Sequence, residues 1–181
     1  LRIRNVTSSS FEVAMVETPR FLETVAQGFP SLPITYLAVE KGTHTLPGNV
    51  KIHAGTKFVN VYQGNNQITG TTTGWDRITY DYIREPTVLA NIQTMSNEDI
   101  DIANYANPPA GPSTPWFTLA MQDISSDNAL VSLERSEVSI PSVDEVSFVP
   151  EEVGYIVFED TPRGFFVDNT GKTIVFETIR A

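Results

Sequence analysis

One phrase occurs twice in this chain, and it constrains the fold more than any other feature. Ile34-Thr-Tyr-Leu-Ala-Val-Glu40 returns as Val153-Gly-Tyr-Ile-Val-Phe-Glu159, with Tyr third and Glu last in both. The lead-in recurs as well. Asn5-Val-Thr-Ser-Ser-Ser-Phe-Glu-Val13 answers Asp123-Ile-Ser-Ser-Asp-Asn-Ala-Leu-Val131, and Val6 to Tyr36 spans 30 residues where Ile124 to Tyr155 spans 31. Ordered self-similarity of this kind marks a tandem architecture, in which each copy is one structural unit. A third echo sets Arg77-Ile-Thr-Tyr-Asp-Tyr-Ile-Arg84 against Thr173-Ile-Val-Phe-Glu-Thr-Ile-Arg180, with Ile78 and Ile174 separated by 96 residues.

The repeated phrases are strands. Val, Ile, Thr, Tyr and Phe fill the ordered-looking segments, and no stretch free of Gly and Pro keeps apolar residues at about 3.6-residue spacing for three turns. Residues 2–16 alternate apolar and polar around Thr7-Ser-Ser-Ser10, which predicts a hairpin. The chain is therefore expected to be all-β. Its hydrophobic fraction of 40% and charged fraction of 19% suit a folded core rather than a disordered tail. The complete absence of cysteine removes disulfides, thiolate zinc sites and a cysteine nucleophile together. With 22 Asp and Glu against 12 Lys and Arg, the net charge of -10 argues against nucleic acid and anionic membrane surfaces, which are bound through cations. No apolar run approaches the roughly 20 residues of a membrane-spanning helix.

The echoes predict one complete unit between two partial ones. Residues 1–58 read as the closing half of a first β-sandwich unit and residues 59–73 as a linker. Residues 74–160 read as the complete unit, with strands at 77–84, 86–94, 116–124, 129–135 and 152–159 and a long loop over 96–115. Residues 161–181 read as the opening strand of a following unit, or as a strand completing the first or a neighbouring unit.

The phrases Ile78-Thr-Tyr80, Pro86-Thr-Val-Leu-Ala-Asn-Ile92, Ile124-Ser-Ser126 and Tyr155-Ile-Val-Phe-Glu159, with Val6-Thr-Ser8 and Tyr36-Leu-Ala-Val-Glu40, give the chain a likeness to a known family. In order and spacing it resembles the H-type lectin domain, a six-stranded antiparallel β-sandwich, in the tandem form found in large secreted bacterial proteins. The resemblance implies an extracellular or cell-surface setting and carbohydrate binding. Family lectins hold N-acetylgalactosamine through an Arg and a Trp-His pair at a trimer interface. Matched position by position, the Arg falls on Arg2 and on Ala120, and the Trp-His pair on Thr18-Pro19 and on Ser136-Glu137. Both copies lack the aromatic platform, so the resemblance implies a different glycan or none.

The candidate binding residues lie around those positions. Glu17 and Arg20 in the first unit, and Glu134, Arg135 and Glu137 in the second, follow the strand where the family keeps its sugar contacts. Carboxylates and guanidinium groups offer forked acceptors and donors to hydroxyls, although a surface ion pair explains the same residues. Trp116 opens a strand behind a proline-stiffened loop and is either a stacking platform or a plug at the sandwich end, as is Trp75. Asn104 sits within that loop, Ala103–Pro115, whose length suits recognition. Glu98, Asp99 and Asp101 place three carboxylates in four residues, a weak calcium candidate that equally fits a solvated acidic loop. No cofactor is otherwise expected. Asn5-Val-Thr7 has the form of a glycosylation sequon and also of a hairpin turn. His44 and His53 are the only histidines, no Gly-x-Ser-x-Gly elbow or HExxH motif is present, and Glu151 and Glu152, being adjacent, point to opposite faces of a strand. An enzyme is not expected. The expected function is a non-enzymatic adhesin-like module binding a glycan or surface protein. The rival is a subunit of an extracellular filament, a homo-oligomer or polymer joined through exposed strand edges.

Overall fold

A computed structural model describes residues 2–14, 33–46, 49–63, 72–97, 117–135, 149–159, 164–167 and 170–176. The described residues contain thirteen strands and no helix: β1 Arg2–Arg4, β2 Glu12–Ala14, β3 Gly42–Leu46, β4 Val50–Val59, β5 Val61–Gln63, β6 Thr72–Thr73, β7 Asp76–Thr79, β8 Pro86–Ile92, β9 Phe117–Gln122, β10 Asn128–Arg135, β11 Glu151–Glu159, β12 Gly164–Val167 and β13 Thr173–Phe176. The protein is all-β.

Two sheets enclose one core. The first runs β3-β4-β11-β8, all antiparallel, with β11 paired to β4 from Glu151↔Val59 to Phe158↔Ile52 and to β8 from Val153↔Ile92 to Glu159↔Pro86. The second centres on β10, which carries β9 along one edge and β7 and β5 end to end along the other, with β6 outside β5. Directly paired residues share a face, so Val153, Tyr155 and Val157 of β11 look inward. They meet Ala129, Val131 and Leu133 of β10 in a cluster with Val59, Ile78, Ile83 and Phe117. The second sheet is mixed rather than wholly antiparallel. Only Asn60 separates β4 from β5, too short a link to reverse the chain, so β5 enters the second sheet with its heading kept and runs parallel to β10.

The sandwich begins earlier than the echoes predict. β3 and β4, expected in the first unit, form half of the first sheet, and β4 is one of its two central strands. β5 and β6 lie in the stretch expected to be a linker, and Tyr62 is a fully enclosed core residue. The strand expected over 77–84 ends at Thr79. Beyond it Tyr80 N–H and Ile83 N–H donate to Asp127 and Ser126 carbonyls, at 3.0 and 2.8 Å, and Glu85 turns the chain at φ 47° into β8.

Strand registers also reset the period. Adding 118 maps the β1–β2 register onto β9–β10: Arg2↔Ala14 becomes Ala120↔Ser132. The same shift carries Asn5, at φ 52°, onto Asp123, at φ 50°, and the Thr7 N–H bond to Ser10 carbonyl onto Ser125 N–H to Asn128 carbonyl, each 2.8 Å. Tyr36 and Tyr155 stand 119 residues apart. Adding 122 maps β3–β4 onto β12–β13, Gly42↔Ala54 becoming Gly164↔Phe176, and carries Asn49, at φ 62°, onto Gly171, at φ 84°. The 96-residue spacing is thus replaced by one of 118–122, and β13 is the counterpart of β4 rather than of β7. Short alternating phrases match several strands of one sandwich, whereas a hairpin register matches few.

One copy of the phrase is not in a sheet. Residues 33–40, expected to be a strand, make no ladder among the described residues, and Tyr36 and Leu37 are 68% and 58% exposed. Their counterpart, β11, is held between β4 and β8, and among the described residues no equivalent neighbour pairs with residues 33–40. Tyr36 instead meets Phe11 edge-on, ring centroids 5.0 Å apart.

Candidate functional site

Pairing places the roots of three segments at one end of the sandwich. Val59 pairs with Glu151 at the start of β11, and Ile92 pairs with Val153. One residue beyond Val59, β5 begins, and its Tyr62 and Gln63 pair with Leu133 and Glu134. Arg135 in turn pairs with Phe117. The described residues that flank 64–71, 98–116 and 136–148 therefore lie at this end.

A buried carboxylate ties two of these roots together. Glu151 is 2% exposed. Its Oε1 accepts from Asn97 N–H at 3.0 Å and Asn97 Nδ2 at 2.5 Å, and its Oε2 from Ser96 N–H at 3.2 Å and from the Thr94 hydroxyl. Asn97 then clasps Val149, its Nδ2 donating to the carbonyl and its Oδ1 accepting from the N–H, both at 2.8 Å. Thr94 Oγ1 accepts from Glu152 N–H at 2.9 Å. A buried charge is tolerated when every lone pair is met, and here the donors come from residues 94–97, where segment 98–116 begins. Glu152, the neighbour, is half-buried on the opposite face.

Of the sequence-expected site, Glu134 and Arg135 are described at this end. Glu134 is exposed, and its carbonyl accepts from Thr118 Oγ1 at 3.3 Å. Arg135 closes β10 opposite Phe117. Asn104, Trp116, Glu137 and the calcium candidates Glu98, Asp99 and Asp101 lie outside the described residues. Glu17 and Arg20 also lie outside them. Arg2 is on β1, which pairs with β2 in a sheet separate from that of Glu134 and Arg135. Trp75 is half-buried and not in the core cluster, so it is not the plug of the sandwich.

A second polar cluster, on the exposed side of β3 and β4, escaped sequence reasoning. The Thr43 hydroxyl donates to Asp81 Oδ2 at 2.6 Å and lies 2.8 Å from His53 Nδ1. A hydroxyl has one proton, so Nδ1 of the neutral ring is the donor to Thr43, and Nε2 keeps its lone pair. The ring stacks on Tyr155, centroids 6.0 Å apart at 15°. Burial lowers the His53 pKa, Asp81 opposing and His44 adding slightly. His53 is thus a neutral imidazole with an oriented tautomer. The sequence signal was faint: cross-strand register alone brings Thr43 opposite His53, and Asp81 comes from a corner 38 residues from Thr43. His44 is not part of the relay; its Nε2 lies 2.7 Å from Glu40 carbonyl. Among the described residues no three His, Asp or Glu side chains converge as a metal site, and no helix is long and apolar enough to cross a membrane.

Comparison with protein-family profiles, curated proteins and solved structures finds no match to this chain.

Proposed function

We propose that this chain is a non-enzymatic, H-type lectin-like β-sandwich module of an extracellular or cell-surface protein. It holds a glycan or a surface partner at the end where segments 98–116 and 136–148 are rooted. One observation carries the reading: a fully satisfied buried carboxylate, Glu151, fixes the roots of both segments on rigid strands. That is how a scaffold presents recognition segments, since positioning by packed elements limits the entropy lost on binding. Glu134 and Arg135, at the end of β10, and Glu137, two residues further along the chain, are of the types that offer forked acceptors and donors to hydroxyls. Repetition of such modules raises avidity without new contacts.

The test is a glycan array probed with the full chain and with an Arg135→Ala/Glu137→Ala variant. The parent is retained on a discrete glycan class and the variant is not. Retention unchanged by the double substitution, or a parent retained on nothing, refutes the assignment. Repeating the array in EDTA isolates any part played by calcium at Glu98, Asp99 and Asp101.

A further inference from the structure

The relay at His53 ends on an atom that the fold leaves unused. The Thr43 hydroxyl gives its proton to Asp81 and takes the Nδ1 proton of His53, so the ring is a neutral imidazole turned to present the lone pair of Nε2. Among the described residues Nε2 has no partner, and no buried side-chain nitrogen or oxygen goes without one, so Nε2 reaches solvent. Asp81 is exposed, and only its Oδ2 is engaged. One hydroxyl therefore ties together two acceptors, an imidazole nitrogen and a carboxylate, that both remain open to water.

Donors stand on the same face. Side chains two residues apart on a strand share a side, so Thr45 follows Thr43 on β3 and Lys51 precedes His53 on β4, and Thr45 pairs with Lys51. Both are exposed, and among the described residues the Lys51 ammonium has no carboxylate partner. His53 pairs with Val157, near the end of β11 remote from Glu151, and Asp81 stands on the corner leading to Pro86, the partner of Glu159. The cluster is thus at the other end of the sandwich from Glu151.

This mixture selects a ligand by charge. An anion meets the Asp81 carboxylate, and a cation meets Lys51. A neutral polyol meets neither penalty: its O–H groups donate to Nε2 and to the Asp81 carboxylate, and its oxygens accept from Lys51 and Thr45. We propose that His53, Asp81, Thr45 and Lys51 form a binding site for adjacent hydroxyl groups of a neutral polyol, a site that does not rest on the reading of the Glu151 end.

The acceptor titrates, which ties occupancy to pH. A protonated imidazole carries N–H on both nitrogens, and Nε2 then opposes a hydroxyl donor. Burial lowers the His53 pKa, Asp81 works against that, and His44 lowers it further. The rings of Tyr80 and Tyr155 flank the imidazole with their hydroxyls donating to carbonyls, and on its own strand Lys51 shares its face, while Glu159 accepts from Lys51 N–H at 3.2 Å. A ligand held on the lone pair favours the neutral ring, so it lowers the His53 pKa again, and by linkage acid weakens the ligand.

The test follows both histidines by NMR in the full chain. The probes are D-mannose, D-galactose and the acyclic polyol sorbitol; the controls are acetate, methylguanidinium and tetrahydropyran-2-methanol, a ring with one hydroxyl. At neutral pH at least one polyol is expected to shift the His53 Nε2 resonance saturably, lower the His53 titration midpoint and leave His44 unmoved. Binding should weaken about tenfold for each pH unit below that midpoint. His53→Gln keeps an acceptor oxygen, so it should retain binding and lose the pH dependence. Lys51→Ala should weaken binding about tenfold with unfolding in urea unchanged. No shift with any polyol, an equal or larger response to acetate, methylguanidinium or the single hydroxyl, or a shift common to His44 and His53 overturns the proposal. The signal is read at His53 itself, so this test and the glycan array at the Glu151 end fail independently.

Discussion

Glu151 offers the most direct test of how the Glu151 end is built. The substitution Glu151→Gln keeps shape and volume but exchanges one acceptor oxygen for an NH2 group. Each carboxylate oxygen now takes two donors, Asn97 N–H and Nδ2 on one side and Ser96 N–H and the Thr94 hydroxyl on the other. Whichever way the amide turns, it sets an NH2 group against two donors. A buried donor without an acceptor costs about 1–3 kcal/mol, and bonds to a charged acceptor sit at the upper end. The Thr94–Ser96 side is less enclosed than Asn97, so the NH2 group should turn there and water should recover part of the loss. The net is about 2–4 kcal/mol. For a sandwich running from Gly42 to Glu159 the unfolding entropy converts each kcal/mol into about 4 °C, so the melting temperature should fall by roughly 8–16 °C. Circular dichroism melts measure this, and hydrogen exchange at the Ser96 and Asn97 amides shows whether the loss is local. A variant melting within about 2 °C of the parent would refute the premise that Glu151 holds this end together.

Four further outcomes follow from the packing around Gly55, His53 and Tyr80. A Cβ added at Gly55 would stand 2.5 Å from Tyr155 Cζ, and that ring is held by its hydroxyl donating to Thr79 carbonyl at 3.1 Å, so Gly55→Ala should cost about 2–3 kcal/mol in urea unfolding. Because His53 has a lowered pKa, the unfolded chain binds the proton first: stability is full above about pH 6.5 and falls as pH drops below it, and His53→Gln should flatten that slope. Burial, then Asp127, push the Tyr80 phenol up to about 12, so its tyrosinate absorbance should appear only near that pH, with stability declining from about pH 10 upward. Tyr80→Phe removes the bonds to Ser125 and Asn128 carbonyls, at 2.6 and 2.9 Å, and should cost about 1–2 kcal/mol by thermal melt.

What could be read from the sequence was whatever a single strand carries in its own pattern. Pro86–Ile92 and the 153–159 phrase alternate or run apolar between clear breaks, and both became strands close to their expected limits. β4 alternates, with Val50, Ile52 and Ala54 buried on one face, but the face it shares with Val153, Tyr155 and Val157 carries Lys57, which meets Asp76 at 3.3 Å, Gly55, which makes room for Tyr155, and His53. Those polar and glycine positions on the core side are explained only by the residues packed against them, which the strand's own pattern does not contain. The Glu151 clasp was hidden for a related reason. Adjacent Glu151 and Glu152 indicate two faces, but not that one face closes over Thr94 and Asn97, some 55 residues earlier in the chain. The period was misjudged because Ile78 and Ile174 belong to phrases of similar alternation in strands of different registers.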